Sequence, residues 1–124
     1  METVPSGRVA RGPLERDALR LLCSDLIAPN TRMQLAGMVN ERSFGEQLNG
    51  VVYAEIVAVG PVSARRLREL LPGRVTLRGF PDFELKEFLG PRGADEDVDK
   101  LFESLLALTE EVRVESNKAL GHSA

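Results

Sequence analysis

The chain of 124 residues contains no tryptophan, one cysteine and one histidine, so several kinds of site lack the residues to build them. Cys23 cannot form an intramolecular disulfide, and no Cys or His lies near it at metal-ligand spacing. Its place in an apolar helical pattern predicts a small buried hydrophobe. The only histidine, His122, lies among the last three residues, where it is poorly placed to activate a Ser or Cys nucleophile.

Phosphate-binding and calcium-binding motifs are also missing. The glycines form neither a loop ending in Lys-Ser/Thr nor a Gly-x-Gly-x-x-Gly turn. Asp95, Glu96, Asp97 and Asp99 lack the spacing and central glycine of a calcium loop, and they fit the start of a helix, where the macrodipole favours negative charge. We therefore expect a protein that is not an enzyme and that uses no cofactor or metal.

Long hydrophobic runs are absent. The apolar stretch at residues 51–59 is interrupted by Glu55 and is much shorter than the ~20 residues that a membrane span requires. The first twelve residues are polar and contain Pro5, Gly7 and Gly12, unlike a secretory signal. These features predict a cytoplasmic protein without membrane contact.

The chain does have the composition of a folded domain, with 43% hydrophobic and 28% charged residues. We interpret residues 1–12 as a flexible leader, 13–120 as a single helical domain and 121–124 as a tail. Apolar residues recur with a helical period along the domain, which predicts an all-α fold, a compact bundle of about six helices with the last one longest.

Caps and breakers predict the bounds of the first three helices. The first begins at Pro13 and ends before Pro29, and the second is capped by Asn30 or Thr31. Ser43 and Glu46 have the spacing of a capping box that opens the third, which Gly60 and Pro61 end. Its β-branched residues would also suit a strand, but the helical period favours a helix.

Similar signals divide the second half of the chain. Ser63 caps a fourth helix that Pro72 and Gly73 end, and residues 74–78 alternate like a short extended connector. Residues 79–82 then turn into a fifth helix that carries aromatic core residues and closes at Gly90 and Pro91. The last helix follows the acidic residues at 95–97 and runs to near Ala119.

Charge is distributed unevenly. Residues 1–80 contain 11 Arg and 8 acids, whereas residues 81–124 contain 5 basic and 11 acidic residues. Five arginines fall on or just after the fourth helix with only Glu69 among them, and arginine is enriched among interface anchors. We predict that these side chains bind a partner protein: Arg65, Arg66, Arg68, Arg74 and Arg78.

The order of elements over residues 14–89 resembles the N-terminal domain of DnaB-type replicative helicases and the related helicase-binding domain of bacterial primases. The matching positions are Glu15, Ala18, Leu21, Leu22, Phe44, Gly60, Leu67, Leu70, Leu71, Gly79, Phe80 and Leu89. The resemblance implies a helical bundle used for protein contact in or near a replication complex. The helicases continue with a helical hairpin and a nucleotide-binding motor, whereas residues 91–124 predict one long helix, so we do not expect the resemblance to extend to ring assembly or ATPase activity.

Three functions are compatible with these features. The first is a protein–protein interaction module whose partner is another protein, such as a replication component. The second is a small nucleic-acid-binding regulator in which helices two and three act as a turn-linked pair, although the overall acidity and few aromatics argue against it. The third is a structural homodimer formed through the last helix, which also carries Leu106 and Val114 slightly off its apolar face.

Overall fold

A computed structural model describes residues 11–90 and 97–122, and the side chains of 11–90 and 97–114. These residues contain no strand, so the predicted all-α class is confirmed, and the β-branched third segment is helical. The six α-helices are α1 Gly12–Leu22, α2 Pro29–Ala36, α3 Gln47–Val59, α4 Ala64–Leu77, α5 Leu85–Leu89 and α6 Val98–His122, with a 3₁₀ turn at Glu41–Ser43.

Three of the predicted helix boundaries are confirmed. The Ser63 hydroxyl oxygen accepts a 3.1 Å hydrogen bond from the backbone N–H of Arg66 and so caps α4. Gly60 follows α3 with φ of 85°, and Gly90 follows α5 with φ of 82°. Glycine adopts positive φ without a steric penalty, which makes it a suitable residue to end each helix.

Helix α1 is shorter than predicted. The apolar period, which includes Leu26 and Ile27, predicts a helix that continues almost to Pro29, but α1 ends at Leu22 and that prediction is wrong. The hydroxyl of Ser24 accepts a 3.0 Å hydrogen bond from the N–H of Leu26, a local pairing that competes with the helix. Leu26 fits the apolar period but is 63% exposed as a result.

The capping box near α3 lies three residues earlier than predicted. Asn40 and Ser43 form it: the Asn40 side chain accepts from the N–H of Arg42 at 2.8 Å, and the Ser43 hydroxyl accepts from the N–H of Asn40 at 3.0 Å. It therefore starts the 3₁₀ turn. Glu46 precedes α3 without a capping hydrogen bond from its side chain.

Helix α4 does not stop at Pro72 and Gly73 but continues to Leu77, so the extended connector predicted at 74–78 is wrong. A proline inside a helix removes one hydrogen bond, here to the carbonyl of Arg68. Val75 lies beyond the proline and is completely buried. Burial of this side chain offsets part of the cost of the lost bond.

Helix α1 lies at the centre of the bundle and packs against α6, α3, α5 and α2. Cys23, just beyond its end, is completely buried, as predicted. The hydroxyl of Ser104 on α6 donates a 2.8 Å hydrogen bond to Asp17 on α1. The most deeply buried apolar side chains of the described residues are Ala18, Leu19, Leu21, Leu22, Val52, Ile56, Leu67, Leu71, Val75, Leu105 and Leu108.

Two buried charged side chains connect elements that are distant in the sequence. The carboxylate of Glu15 accepts hydrogen bonds from the N–H of Gly45 and from the amide of Asn49, each at 2.8 Å, and so holds the start of α3 against α1. The guanidinium of Arg32 donates to the carbonyls of Leu22 at 2.8 Å and Val62 at 2.6 Å. Burial lowers the pKa of Arg32, and the nearby Cys23 acts in the opposite direction.

Several expectations fall outside the part of the chain that the structure describes. These concern the leader up to residue 10, the acidic residues Asp95 and Glu96, the side chain of His122, and the last two residues. Asp97 is described: its carboxylate accepts hydrogen bonds from the N–H groups of Asp99 at 3.0 Å and Lys100 at 3.3 Å. It therefore caps the start of α6, which agrees with the helix start predicted here.

Candidate functional site

Two of the five predicted arginines bind within the bundle. Arg74 on α4 donates a 2.6 Å hydrogen bond to one carboxylate oxygen of Glu55, and Arg78, directly after α4, donates a 2.6 Å bond to the other. Glu55 lies on α3 and is 7% exposed. These arginines thus hold α4 to α3, and their charges are compensated by a carboxylate 19 and 23 residues away in the sequence.

The environment of Glu55 favours its charged form. Burial raises the pKa of its carboxyl, but the hydrogen bonds and positive charges of Arg74 and Arg78 outweigh burial and hold the pKa below its ordinary value. A buried carboxylate with a lowered pKa is typical of a structural ion pair as well as of an active site. Since both oxygens of Glu55 are bonded to arginine, the structural role fits this geometry.

Two other predicted arginines lie on the solvent side of α4. The side chains of Arg65 and Arg66 are 91% and 59% exposed, and both contact Glu69, at 3.6 Å and 3.4 Å respectively. Exposed pairs of this kind typically contribute less than about 1 kcal/mol to stability. Substitution of either arginine should therefore have little effect on the stability of the fold.

The fifth arginine, Arg68, borders two neighbouring depressions on the surface. One is a groove of about 670 Å³ between α4 and α5, whose lining residues are Arg68, Pro72, Phe83, Glu84, Leu85, Lys86, Leu89 and Gly90. The other is a polar cleft of about 420 Å³ lined by Asp25, Arg65, Arg68 and Glu69. Arg65 and Arg68 thus belong to one continuous surface, which we call the α4–α5 face, and Arg74 and Arg78 do not.

The floor of the groove is apolar and only partly covered by the chain itself. Phe88 and Leu89 are buried, as predicted for the aromatic-bearing fifth helix, whereas Phe83 and Leu85 are half-buried. The rings of Phe83 and Phe88 pack with their centroids 5.4 Å apart. Sequence periodicity predicted both aromatics as core, and it could not show that Phe83 lies at the edge of a groove.

Two arginines of α1 fix the short helix that forms one wall of this groove. Arg16 donates a 3.0 Å hydrogen bond to the carbonyl of Phe88, and Arg20 donates a 2.6 Å bond to the carbonyl of Leu89. The guanidinium of Arg16 also lies 4.5 Å from the centre of the Phe88 ring. A helix of five residues is unstable alone, so these contacts hold α5 in place.

The groove offers apolar contact through Phe83, Leu85 and Leu89 and ionic contact through Arg68. Among the described residues, no group of three or more His, Cys, Asp or Glu side chains is placed to hold a metal ion. None of the described helices combines the length and apolarity needed to cross a bilayer. Comparisons with protein-family models, curated proteins and solved structures found no match to this chain.

Proposed function

We propose that this protein is a protein–protein interaction module that binds its partner through the α4–α5 face. The observation that carries the proposal is the position of Arg68, which borders both the apolar groove and the polar cleft and forms no ion pair with the described residues. Apolar surface beside an arginine is typical of interface anchors.

The resemblance to helicase and primase domains supports a partner from the replication machinery. It concerns residues 14–89, which include all of α4 and α5, and it implies a bundle used for protein contact. The all-helical fold agrees with that expectation but is shared by many helical proteins. A replication protein is therefore the partner that we propose.

A photo-crosslinking experiment tests the location of binding. A photoreactive amino acid replaces Glu84, which lines the groove, and in a matched variant it replaces Glu110, which is 57% exposed on α6. We expect a discrete protein adduct in the native host from position 84 and none from position 110. Identical adducts from both positions, or no adduct from position 84, would contradict the proposal.

The nucleic-acid alternative finds less support in the geometry. Helices two and three were its turn-linked pair, but α2 and α3 are separated by ten residues that include a 3₁₀ turn. Helix α3 has no Lys or Arg, and more than half of its residues are buried. A recognition helix must expose side chains to a groove of the duplex. Tight, salt-sensitive binding of duplex DNA in an anisotropy titration would reverse this ranking.

A homodimer through α6 is a second candidate because two apolar side chains one turn apart are partly exposed. Phe102 is 37% exposed and Leu106 is 42% exposed. Residues four apart share a helix face, so these two side chains form one apolar spot. Light scattering of the purified chain tests this candidate, and a monomeric mass at high micromolar concentration would exclude it.

A further inference from the structure

We propose that the groove between α4 and α5 binds an amphipathic helix of the partner that carries carboxylates beside its apolar stripe. This inference rests on the proposed function and specifies the chemistry of the bound segment. Its basis is the combination of an apolar floor with two cations, Arg68 and Lys86, that form no ion pair with the described residues.

The apolar part of the groove is arranged to receive side chains. Pro72 comes from α4, and Phe83, Leu85 and Leu89 come from the segment around α5, so apolar atoms face the groove from both walls. Leu85 and Phe83 are half-buried and still have surface to cover. An inserted Leu or Phe side chain of about average size would gain roughly 1.5–3 kcal/mol by leaving water.

The charges around the groove select the polar part of the ligand. Arg68 and Lys86 contribute two positive charges to the lining, and Glu84 contributes one negative charge. In the adjoining cleft, Arg65 and Arg68 face the acids Asp25 and Glu69, so the excess of positive charge belongs to the groove itself. A carboxylate on the partner can therefore pair with Arg68 in a bidentate geometry, and the groove lining favours an acidic segment over a basic one by one net charge.

The walls of the groove favour a helix over an extended strand as the occupant. No strand occurs among the described residues, so an added strand would find no sheet edge with which to pair. Helix α4 contributes Arg68 and Pro72 to the groove, and these residues lie one turn apart, which is the spacing of side chains four apart along a partner helix. Because Arg16 and Arg20 hold α5, the groove is formed before binding.

Selection from displayed peptides tests this chemistry without knowledge of the natural partner. The full chain is presented to three libraries of helical peptides with one randomised apolar stripe, whose flanking positions are acidic, uncharged or basic. A fourth library of proline-containing extended peptides uses the same apolar residues. We expect acid-flanked helices to be enriched, and the selected peptides to perturb the amide NMR signals of residues 68, 83–86 and 89–90.

Charge-reversal variants locate the binding. Arg68→Glu with Lys86→Glu is expected to weaken the selected acidic peptides at least about tenfold, as for loss of close charge pairs. If the first variant unfolds, Arg68→Gln with Lys86→Gln replaces it in the affinity measurement. Arg66→Glu, which lies outside the groove, is the control. Enrichment of basic, uncharged or extended peptides, no enrichment at all, or unchanged affinity of both groove variants would overturn the inference. If photo-crosslinking from position 84 still captures a partner, the proposed function survives that failure.

Discussion

The carboxylate of Glu55 on α3 accepts a 2.6 Å hydrogen bond from the guanidinium of Arg74 on α4. Arg78 binds the second oxygen at the same distance. This clamp joins two helices through a buried acid and two arginines that are about half-exposed. It separates the arginines of α4 into a pair that stabilises the fold and a group that faces outward.

Replacing Glu55 with Gln should destabilise the protein. The amide keeps the size of the carboxyl but loses two charge-assisted hydrogen bonds, which predicts a loss of about 1–3 kcal/mol in the free energy of unfolding. Denaturant unfolding followed by circular dichroism measures it. The matched control, Glu69→Gln, breaks exposed pairs only and should change stability by less than about 1 kcal/mol. Equal effects of the two substitutions would contradict the structural role of Glu55.

The same clamp predicts how stability depends on pH. The folded-state pKa of Glu55 lies below its ordinary value of 4.5, so the unfolded chain takes up the proton first as pH falls. The contribution of Glu55 is therefore fully present above about pH 4.5 and is lost as pH falls through the folded-state pKa. We expect the difference in unfolding free energy between the native chain and Glu55→Gln to shrink over that window. A difference that grows with acidity would contradict this sign.

Tyr53 offers a direct spectroscopic check of the packing around α2. Its buried hydroxyl lies 2.7 Å from the carbonyl oxygen of Ala36 and 2.8 Å from that of Val39. Burial, and then the charge of Glu41, raise the pKa of Tyr53 above its ordinary value of 10.0. Because the chain has one Tyr and no Trp, ultraviolet titration follows this group alone. A midpoint at the ordinary value, in protein still folded by circular dichroism, would show that the hydroxyl is not enclosed.

Arg32 should not tolerate replacement by lysine. Its planar guanidinium reaches the carbonyl of Leu22 at the end of α1 and that of Val62 between α3 and α4, and a single ammonium cannot reproduce that fork. We expect Arg32→Lys to lower the free energy of unfolding by about 2 kcal/mol, from loss of a hydrogen bond to a charged donor. Denaturant unfolding followed by circular dichroism measures this difference. Arg66→Lys, an exposed substitution on α4, should be nearly neutral in the same measurement. A neutral Arg32→Lys would mean that the two carbonyls find other partners.

Periodicity and capping residues predicted the fold class and most of the helices, because these signals are local. Ser63, Gly60 and Gly90 act as predicted. The predicted end of α4 was wrong because Pro72 and Gly73 are local breakers of a helix. The burial of Val75, which offsets part of their cost, is a tertiary effect that the local sequence does not show. The predicted end of α1 was wrong because the hydrogen bond that the Ser24 hydroxyl accepts from the N–H of Leu26 has no strong signal in the sequence.

For the candidate site too, local sequence predicts which residues are charged, but not which distant residues they contact. The sequence predicted all five arginines of and after α4 as one partner-binding cluster, because only Glu69 lies among them. In the sequence, Glu55 only interrupts an apolar stretch, and nothing there indicates that it binds Arg74 and Arg78. The four-residue spacing of those two arginines places them on one helix face, but only the packing of α3 on α4 shows which acid they meet.

Two charge-reversal pairs distinguish the arginines that face the partner from the arginines that stabilise the fold. Arg65→Glu with Arg68→Glu alters the α4–α5 face, and Arg74→Glu with Arg78→Glu alters the clamp to Glu55. For both variants, the melting temperature is measured together with the yield of the adduct formed from position 84. We predict that the first pair keeps the native melting temperature and loses the adduct, while the second pair lowers the melting temperature. Partner binding through the α4–α5 face would be contradicted if the first pair unfolds the protein, or if it leaves the protein folded and the adduct is still formed.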